Sequence, residues 1–300
     1  MTWLMPPREG DRISRLGWSV TVNQERERTA RAQIPAPACV SGNHRATRIL
    51  LIVALCSVLP CLARAQTSRE INEQVQFWGS LNTTIRLTDR TGVIADVHVR
   101  RNDFLQDPGF YFIRLGANYW LTEKLTLAFG YAHMWQAPAC DDCETWSNEN
   151  RIYQQVQYAT NLGATRVLHR VRNEQRWRQE VKDDELTGET LFSDRIRYLA
   201  SFTIPVSERR SVPSLVLSDE ILLQFGKDIV YNTFDQNRLF VGIKKDLARA
   251  WSYDLGYMMV YQQKSSGYEY DLNHTLRWFF YFTPDRREVK SVHDPAGSTE

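Results

Sequence analysis

The chain has 300 residues, 43% of them hydrophobic and 24% charged, with a formal net charge of +2. That length holds one large domain or two smaller ones. The near-neutral charge, with no dense basic patch interleaved with aromatics, argues against nucleic acid as a partner. An average composition of this kind does not separate a soluble protein from a transmembrane barrel, whose strands are apolar on one face only.

Aromatic placement bounds the folded part. All 13 Tyr, all 13 Phe and seven of the nine Trp fall between Phe77 and Phe282. Residues 1–44 are rich in Arg and Pro and show no strand or helix period. They read as a non-native upstream extension, with initiation near Val40, or as a long n-region. Residues 45–65 read as a signal peptide: Arg45 and Arg48, the apolar run Ile49–Leu62, then Ala63-Arg64-Ala65, with cleavage expected after Ala65. The run is too short to span a bilayer comfortably. Export is expected, followed by a barrel over 66–284 and a polar tail over 285–300.

The mature part reads as strands throughout. Phe77–Leu87 alternates large apolar with polar residues, and Asp89–Gly92 is a turn into Val93–Arg100. Pro108-Gly109 opens a run to Tyr119, and Thr122–Lys124 turns tightly into Leu125–Trp135. Residues 136–149 are expected to be a loop. In its Cys140-Asp-Asp-Cys143 the two cysteines are expected to form a small disulfide, because no further soft metal ligands lie nearby. Strands follow at 151–160 and 165–178, then a hydrophilic loop over 179–190. Further strands are expected at 192–205, 214–226, 236–245, 251–263 and 269–282.

The run from 165 to 178 is the most informative. Arg170, Arg172, Glu174, Arg176 and Arg178 occupy every second position, so a strand puts all of them on one face. Unpaired buried ions cost several kcal/mol each. The charged face is therefore expected to meet water, and the face with Val167, Val171 and Trp177 to meet something apolar. Segments of about 10–14 residues suit a tilted bilayer crossing better than a sandwich. Tight turns alternate with longer polar loops, as in outer-membrane barrels. Trp78, Trp120, Trp135, Trp177, Trp251 and Trp278 lie near segment ends, where interfacial girdles belong. The fold class is therefore all-β, an antiparallel transmembrane β-barrel of about 10–12 strands. About eleven segments can be counted, and the even numbers of single-chain bacterial barrels favour ten or twelve.

In such a barrel the charged faces line the lumen. Arg86, Arg100, Arg114, Arg170, Arg172, Arg176, Arg178, Arg195, Arg197, Arg238 and Arg277 stand against Asp96, Glu174, Glu220 and Asp254. The lumen network is expected to comprise Arg170, Arg172, Glu174, Arg176, Arg195, Arg197, Glu220 and Arg238. It is either a structural ion-pair lattice or a narrow anion-favouring conduit.

Two motifs carry a family resemblance: Arg170–Trp177 followed by Asp194–Tyr198, and Asp219-Glu220 with Phe234–Gly242. With the opening Phe77-Trp78 strand and the closing Asn273-His274 strand, the chain resembles over 74–282 a family of outer-membrane β-barrels catalogued as a domain of unknown function. The resemblance implies barrel and location and supplies no reaction, ligand or catalytic residue.

The expected role is that of an outer-membrane barrel with no catalytic residues, no metal site and no cofactor. Its expected partners are outer-membrane lipid and lipopolysaccharide, the barrel-assembly machinery during biogenesis, and small anions. The competing classes are a lipid-modifying acyl hydrolase, which would draw on His98, His133, His169, His274 or His293 with a Ser, and a structural barrel whose loops bind a partner.

Overall fold

The structure is a computed structural model, and the residues described are 69–138, 140, 142–209, 211–247 and 249–287. The upstream extension, the signal peptide with its cleavage site, and the end of the polar tail lie outside the described residues. Eleven strands run in chain order: β1 (Glu70–Arg86), β2 (Thr91–Asn102), β3 (Asp107–Trp120), β4 (Leu125–Gln136), β5 (Ser147–Leu162), β6 (Thr165–Lys182), β7 (Glu185–Ile204), β8 (Ser214–Phe225), β9 (Phe234–Asp246), β10 (Trp251–Gln263) and β11 (Glu269–Phe282). Each pairs antiparallel with the next, and β1 closes the barrel against β11.

The preference for ten or twelve strands is corrected: among the described residues the count is eleven. An up-and-down chain with an odd number of strands has its first and last strands pointing the same way, so the closing pair must be parallel. It is, with register Glu70↔Glu269 through Thr83↔Phe282. Consequently the start of β1 and the end of β11 lie at opposite ends of the barrel. The first end also carries the β2–β3, β4–β5, β6–β7, β8–β9 and β10–β11 connections.

Side-chain alternation sorts the wall. Leu81, Val97, Leu115, Phe129, Val156, Val171, Ile196, Leu217, Val241 and Leu276 are exposed on the outside. Their sequence neighbours project into a lumen where Asp96, Glu174, Arg195, Glu220 and Arg238 are buried. Aromatic residues ring both ends of the exposed apolar band. Tyr119, Tyr158 and Trp251 lie at the short-turn end, and Tyr131, Trp135, Trp146 and Phe192 toward the other. Of the six expected girdle residues, Trp135 and Trp251 belong to these rings, Trp177 packs on Phe192 at 5.3 Å, Trp278 is exposed on β11, and two depart from the pattern. Trp78 points inward and is buried, and Trp120 lies under the Arg86 guanidinium at 4.8 Å.

The expected loop over 179–190 is corrected to a hairpin. β6 and β7 continue past the apolar band and meet at Asp183-Asp184, where both residues have positive φ (51° and 58°). That combination is a two-residue type I′ turn, whose twist matches paired strands and whose backbone Asp tolerates. The segment is polar because it has no apolar partner on either face, so hydropathy alone could not distinguish it from a loop. The loop expected over 136–149 is also shorter, since β5 already begins at Ser147.

Candidate functional site

Five consecutive strands, β5 to β9, supply the centre of the lumen. On β6 the period of two aims Arg170, Arg172, Glu174 and Arg176 inward, and on β7 it aims Arg195 and Arg197 inward. The antiparallel register sets Glu174 opposite Arg195 and Arg172 opposite Arg197. Glu220 on β8 stands opposite Arg238 on β9.

Ion pairs join these side chains across strands. Arg195 reaches Glu174 at 2.6 Å and Asp235 at 2.9 Å. Arg197 spans two carboxylates, Glu174 at 2.8 Å and Glu220 at 2.8 Å. Glu220 also accepts from Arg170 at 2.8 Å and from Arg238 at 3.3 Å. Arg176 donates to Glu149 at 2.7 Å, and Arg151 pairs with that same carboxylate and reaches Glu174 at 3.6 Å. Arg172 donates to the Gln155 side-chain oxygen at 2.6 Å and stands 3.6 Å from Glu174. All eight residues expected in the lumen network thus lie in one continuous lattice. Buried charges are tolerable only under such pairing, and planar guanidinium suits it because one fork can serve two acceptors.

The sequence reading missed three members. Glu149 and Arg151 extend the β5 alternation Ser147-x-Glu149-x-Arg151, a signal hidden by assigning residues up to 149 to a loop. Asp235 breaks the alternation altogether: Asp235 and Gln236 are consecutive and both buried. The β8–β9 register shifts between Leu222 and Leu223, and this bulge turns an extra residue inward.

The other half of the lumen is filled differently. Trp78 is overlaid by the Arg100 guanidinium at 3.2 Å and faces that of Arg238 at 5.1 Å. Arg114 and Arg172 share the Tyr153 ring at 5.5 and 5.0 Å. Tyr153 lies against β3 and β4 because the paired Gly116 and Gly130 leave it room. A Cβ on either would come within 2.5 or 2.6 Å of its hydroxyl. Arg114 pairs with Asp96, and Arg277 donates to Asp254 at 2.8 Å.

A cavity of about 320 Å³ lies over the lattice. Its lining runs from Gln76, Asn102, Gln136 and Arg178 at the hairpin end down to Trp78, Arg114, Tyr153 and Val260. One inward layer further, Phe240 is 1% exposed, Met258 3% and Thr275 0%. Side chains bordering an open bore would be wetted by it, so on β9 to β11 these residues form a dry floor to the cup.

Outside this centre, Cys140 and Cys143 are joined as a disulfide, with Cα atoms 5.2 Å apart. Their loop docks on the β6–β7 hairpin through Asp184, whose carboxylate accepts the Glu144 and Thr145 amides at 2.9 Å each. Those two amide bonds hold the Asp184 carboxyl below the usual carboxylate value. His98 faces the lumen and stacks on Phe112 at 4.0 Å. The outward histidines meet Asn150 (His133, 2.8 Å), Tyr198 (His169, 2.9 Å) and Tyr257 (His274, 2.6 Å). His293 lies outside the described residues.

The family model described as "Protein of unknown function (DUF2490)" matches residues 75–271, nearly the whole wall from β1 into β11. The chain belongs to the DUF2490 family. The matched span contains the entire β5–β9 lattice, the disulfide loop and all of the cup's lining except Asn273. No curated protein and no solved structure matches the chain.

Proposed function

We propose that this DUF2490 protein is an outer-membrane β-barrel whose lumen is closed by its own arginine–carboxylate lattice, so that it works as a structural or ligand-holding barrel and not as a pore or a hydrolase. The observation that carries the reading is the inversion of the wall. Large apolar side chains are exposed outside while charged residues are buried inside. In water that arrangement would leave a continuous apolar belt far larger than the patches a soluble monomer shows. In a bilayer it places every backbone polar group in a closed ladder and every charge away from lipid. The aromatic rings at both edges of the belt support the same reading. The signal segment at 45–65 supplies the route of export. The short turns then face the periplasm, and the disulfide loop and β6–β7 hairpin face outward, where lipopolysaccharide is the neighbour.

The runner-up is an anion conduit, favoured by the excess of lumen arginine over carboxylate. The buried layer at Phe240, Met258 and Thr275 weighs against it. Heat-modifiability of the protein from outer-membrane fractions, followed by single-channel recording of the same sample, tests both. The expected result is a mobility shift on boiling and no steady conductance. A stable anion-selective current would replace the closed lumen by a conduit. A soluble protein without heat-modifiability would overturn the membrane reading.

A further inference from the structure

The cup has a composition that closing a barrel does not require. Ten of its lining residues are arginine and one, Glu174, is a carboxylate, because Glu149 and Glu220 sit behind the guanidiniums they pair with. A lattice serving only to fill the lumen would present both signs to the cavity. Here the positive partners face the space and the negative ones support them from the wall.

Some of that charge is uncommitted. Among the described residues, Arg100 and Arg178 have no carboxylate within 4.0 Å; Arg100 is held instead between the Trp78 and Phe110 rings, at 3.2 and 4.1 Å. Its Nε is buried and has no hydrogen-bond partner, and the same is true of Nε2 on His98, a lining residue 7% exposed, and of the Arg170 Nε. Buried polar atoms without partners cost free energy, and all three of these belong to residues that line the cup. Arg100 and Arg238 share one indole, so two cations lie together with no anion from the chain beside Arg100.

Across the cup, β3, β4 and β10 add aromatic and aliphatic side chains to the lining, Phe110, Phe112, Met134 and Val260, among polar ones. A cavity of about 320 Å³ is at the small end of ligand sites, which run from about 300 to 1,000 Å³. We propose that the cup is a binding site for a small organic oxyanion. Its carboxylate or phosphate would be held by Arg100, Arg172 and Arg178, and its flat apolar body would lie against Phe110 and Phe112. The ligand would enter and leave at the hairpin end, since the lattice closes the other. Recognition by guanidinium forks fits either oxyanion, and cation–π contacts pre-orient Arg100 for it. The cup belongs to the lumen and not to the membrane-facing wall, so its ligand stands or falls separately from the location proposed above.

The experiment is titration of the detergent-folded mature chain with benzoate and with phenyl phosphate, followed by calorimetry and tryptophan fluorescence. Benzylamine, acetate and inorganic phosphate serve as comparisons. Saturable one-to-one binding of at least one aromatic anion is expected, with no binding of benzylamine and weaker binding of acetate and inorganic phosphate. Preference between benzoate and phenyl phosphate identifies the head group. Arg100→Gln should weaken binding about tenfold or more, as expected for one lost charge-assisted hydrogen bond. Arg178→Gln, at the exposed mouth, gives the same reading should Arg100→Gln not fold. Arg86→Gln removes a charge that pairs with Glu123 at the opposite end and should leave the affinity unchanged. No saturable binding, equal binding of benzylamine, or an affinity indifferent to Arg178→Gln would overturn the proposal. Heat-modifiability measured on the same sample reports the barrel independently of these outcomes.

Discussion

The β5–β9 side of the lumen and the side formed by β1–β4, β10 and β11 obey one backbone rule and are filled by opposite chemistry. On the first, arginines and acids cluster on β6 and β7 and reach carboxylates on β5, β8 and β9, and the space there closes mainly by pairing. On the second, the paired Gly116 and Gly130 make room for the Tyr153 ring reaching over from β5, Trp78 and Phe112 are buried, and beside two ion pairs the space closes mainly by packing. Period-two alternation therefore decides which residues face the lumen but leaves the means of filling it to local volume and charge. The two sides should fail differently: the lattice when a charge is left alone, the packed side when a volume changes.

The largest effect is expected at Glu174, which Arg195 and Arg197 grip directly and which Arg151 and Arg172 approach to 3.6 Å. Glu174→Gln keeps the shape and removes the charge, leaving those guanidiniums facing one another. Breaking a buried pair on one side costs about 3–5 kcal/mol. The urea midpoint of the detergent-folded barrel, followed by tryptophan fluorescence, should fall accordingly. A change below about 1 kcal/mol, the size of an exposed pair, would show that water reaches the lattice and that its centre is not dry.

On the packed side the matching perturbation is Gly116→Ala. Its Cβ would stand 2.5 Å from the Tyr153 hydroxyl and 2.7 Å from the Phe129 carbonyl oxygen, an overpacking of the sort that costs about 1–3 kcal/mol. The Tyr153 hydroxyl is buried without a partner, so Tyr153→Phe alone should be neutral or slightly stabilising. Combined with Gly116→Ala it should recover part of the loss. Equal destabilisation in the single and double variants would place the clash on the Phe129 backbone and not on the ring.

The same contrast governs what could be read from the chain. The alternation at 170–178 and the Arg195-x-Arg197 pair revealed the lattice side, because only a strand gathers charges spaced at period two onto a single face. The packed side left weaker signs. Gly116 and Gly130 are distant in sequence and acquire meaning only when the β3–β4 register sets them opposite each other. Trp78 reads as a girdle residue because tryptophans near strand ends usually sit there, and nothing local shows that its strand extends eight residues before it. Asp235 escaped because a bulge suspends the period on which the reading relied. Strand parity was legible, since the eleven segments counted along the chain are the eleven strands, and only the even-number habit of single-chain barrels pointed to ten or twelve.

The smallest effect concerns the junction above the lumen, where neither pairing of charges nor packing of rings is at work. Asp184 holds the disulfide loop by accepting the Glu144 and Thr145 amides, and those bonds depress its carboxyl below the ordinary value of 3.8. A carboxyl whose folded value is depressed binds its proton less readily in the docked state than in the free chain. It therefore contributes its docking stability above the ordinary value and loses it as pH falls through the depressed one. Amide exchange at Glu144 and Thr145, corrected for intrinsic rates, should be protected at pH 6 and lose that protection as the pH is lowered below about 3.8. Asp184→Asn should show the low-pH exchange behaviour at every pH while leaving the urea midpoint unchanged. Protection independent of pH in the parent chain would mean that the loop is held by its disulfide and the hairpin backbone alone, and that the carboxylate at Asp184 is incidental to the junction.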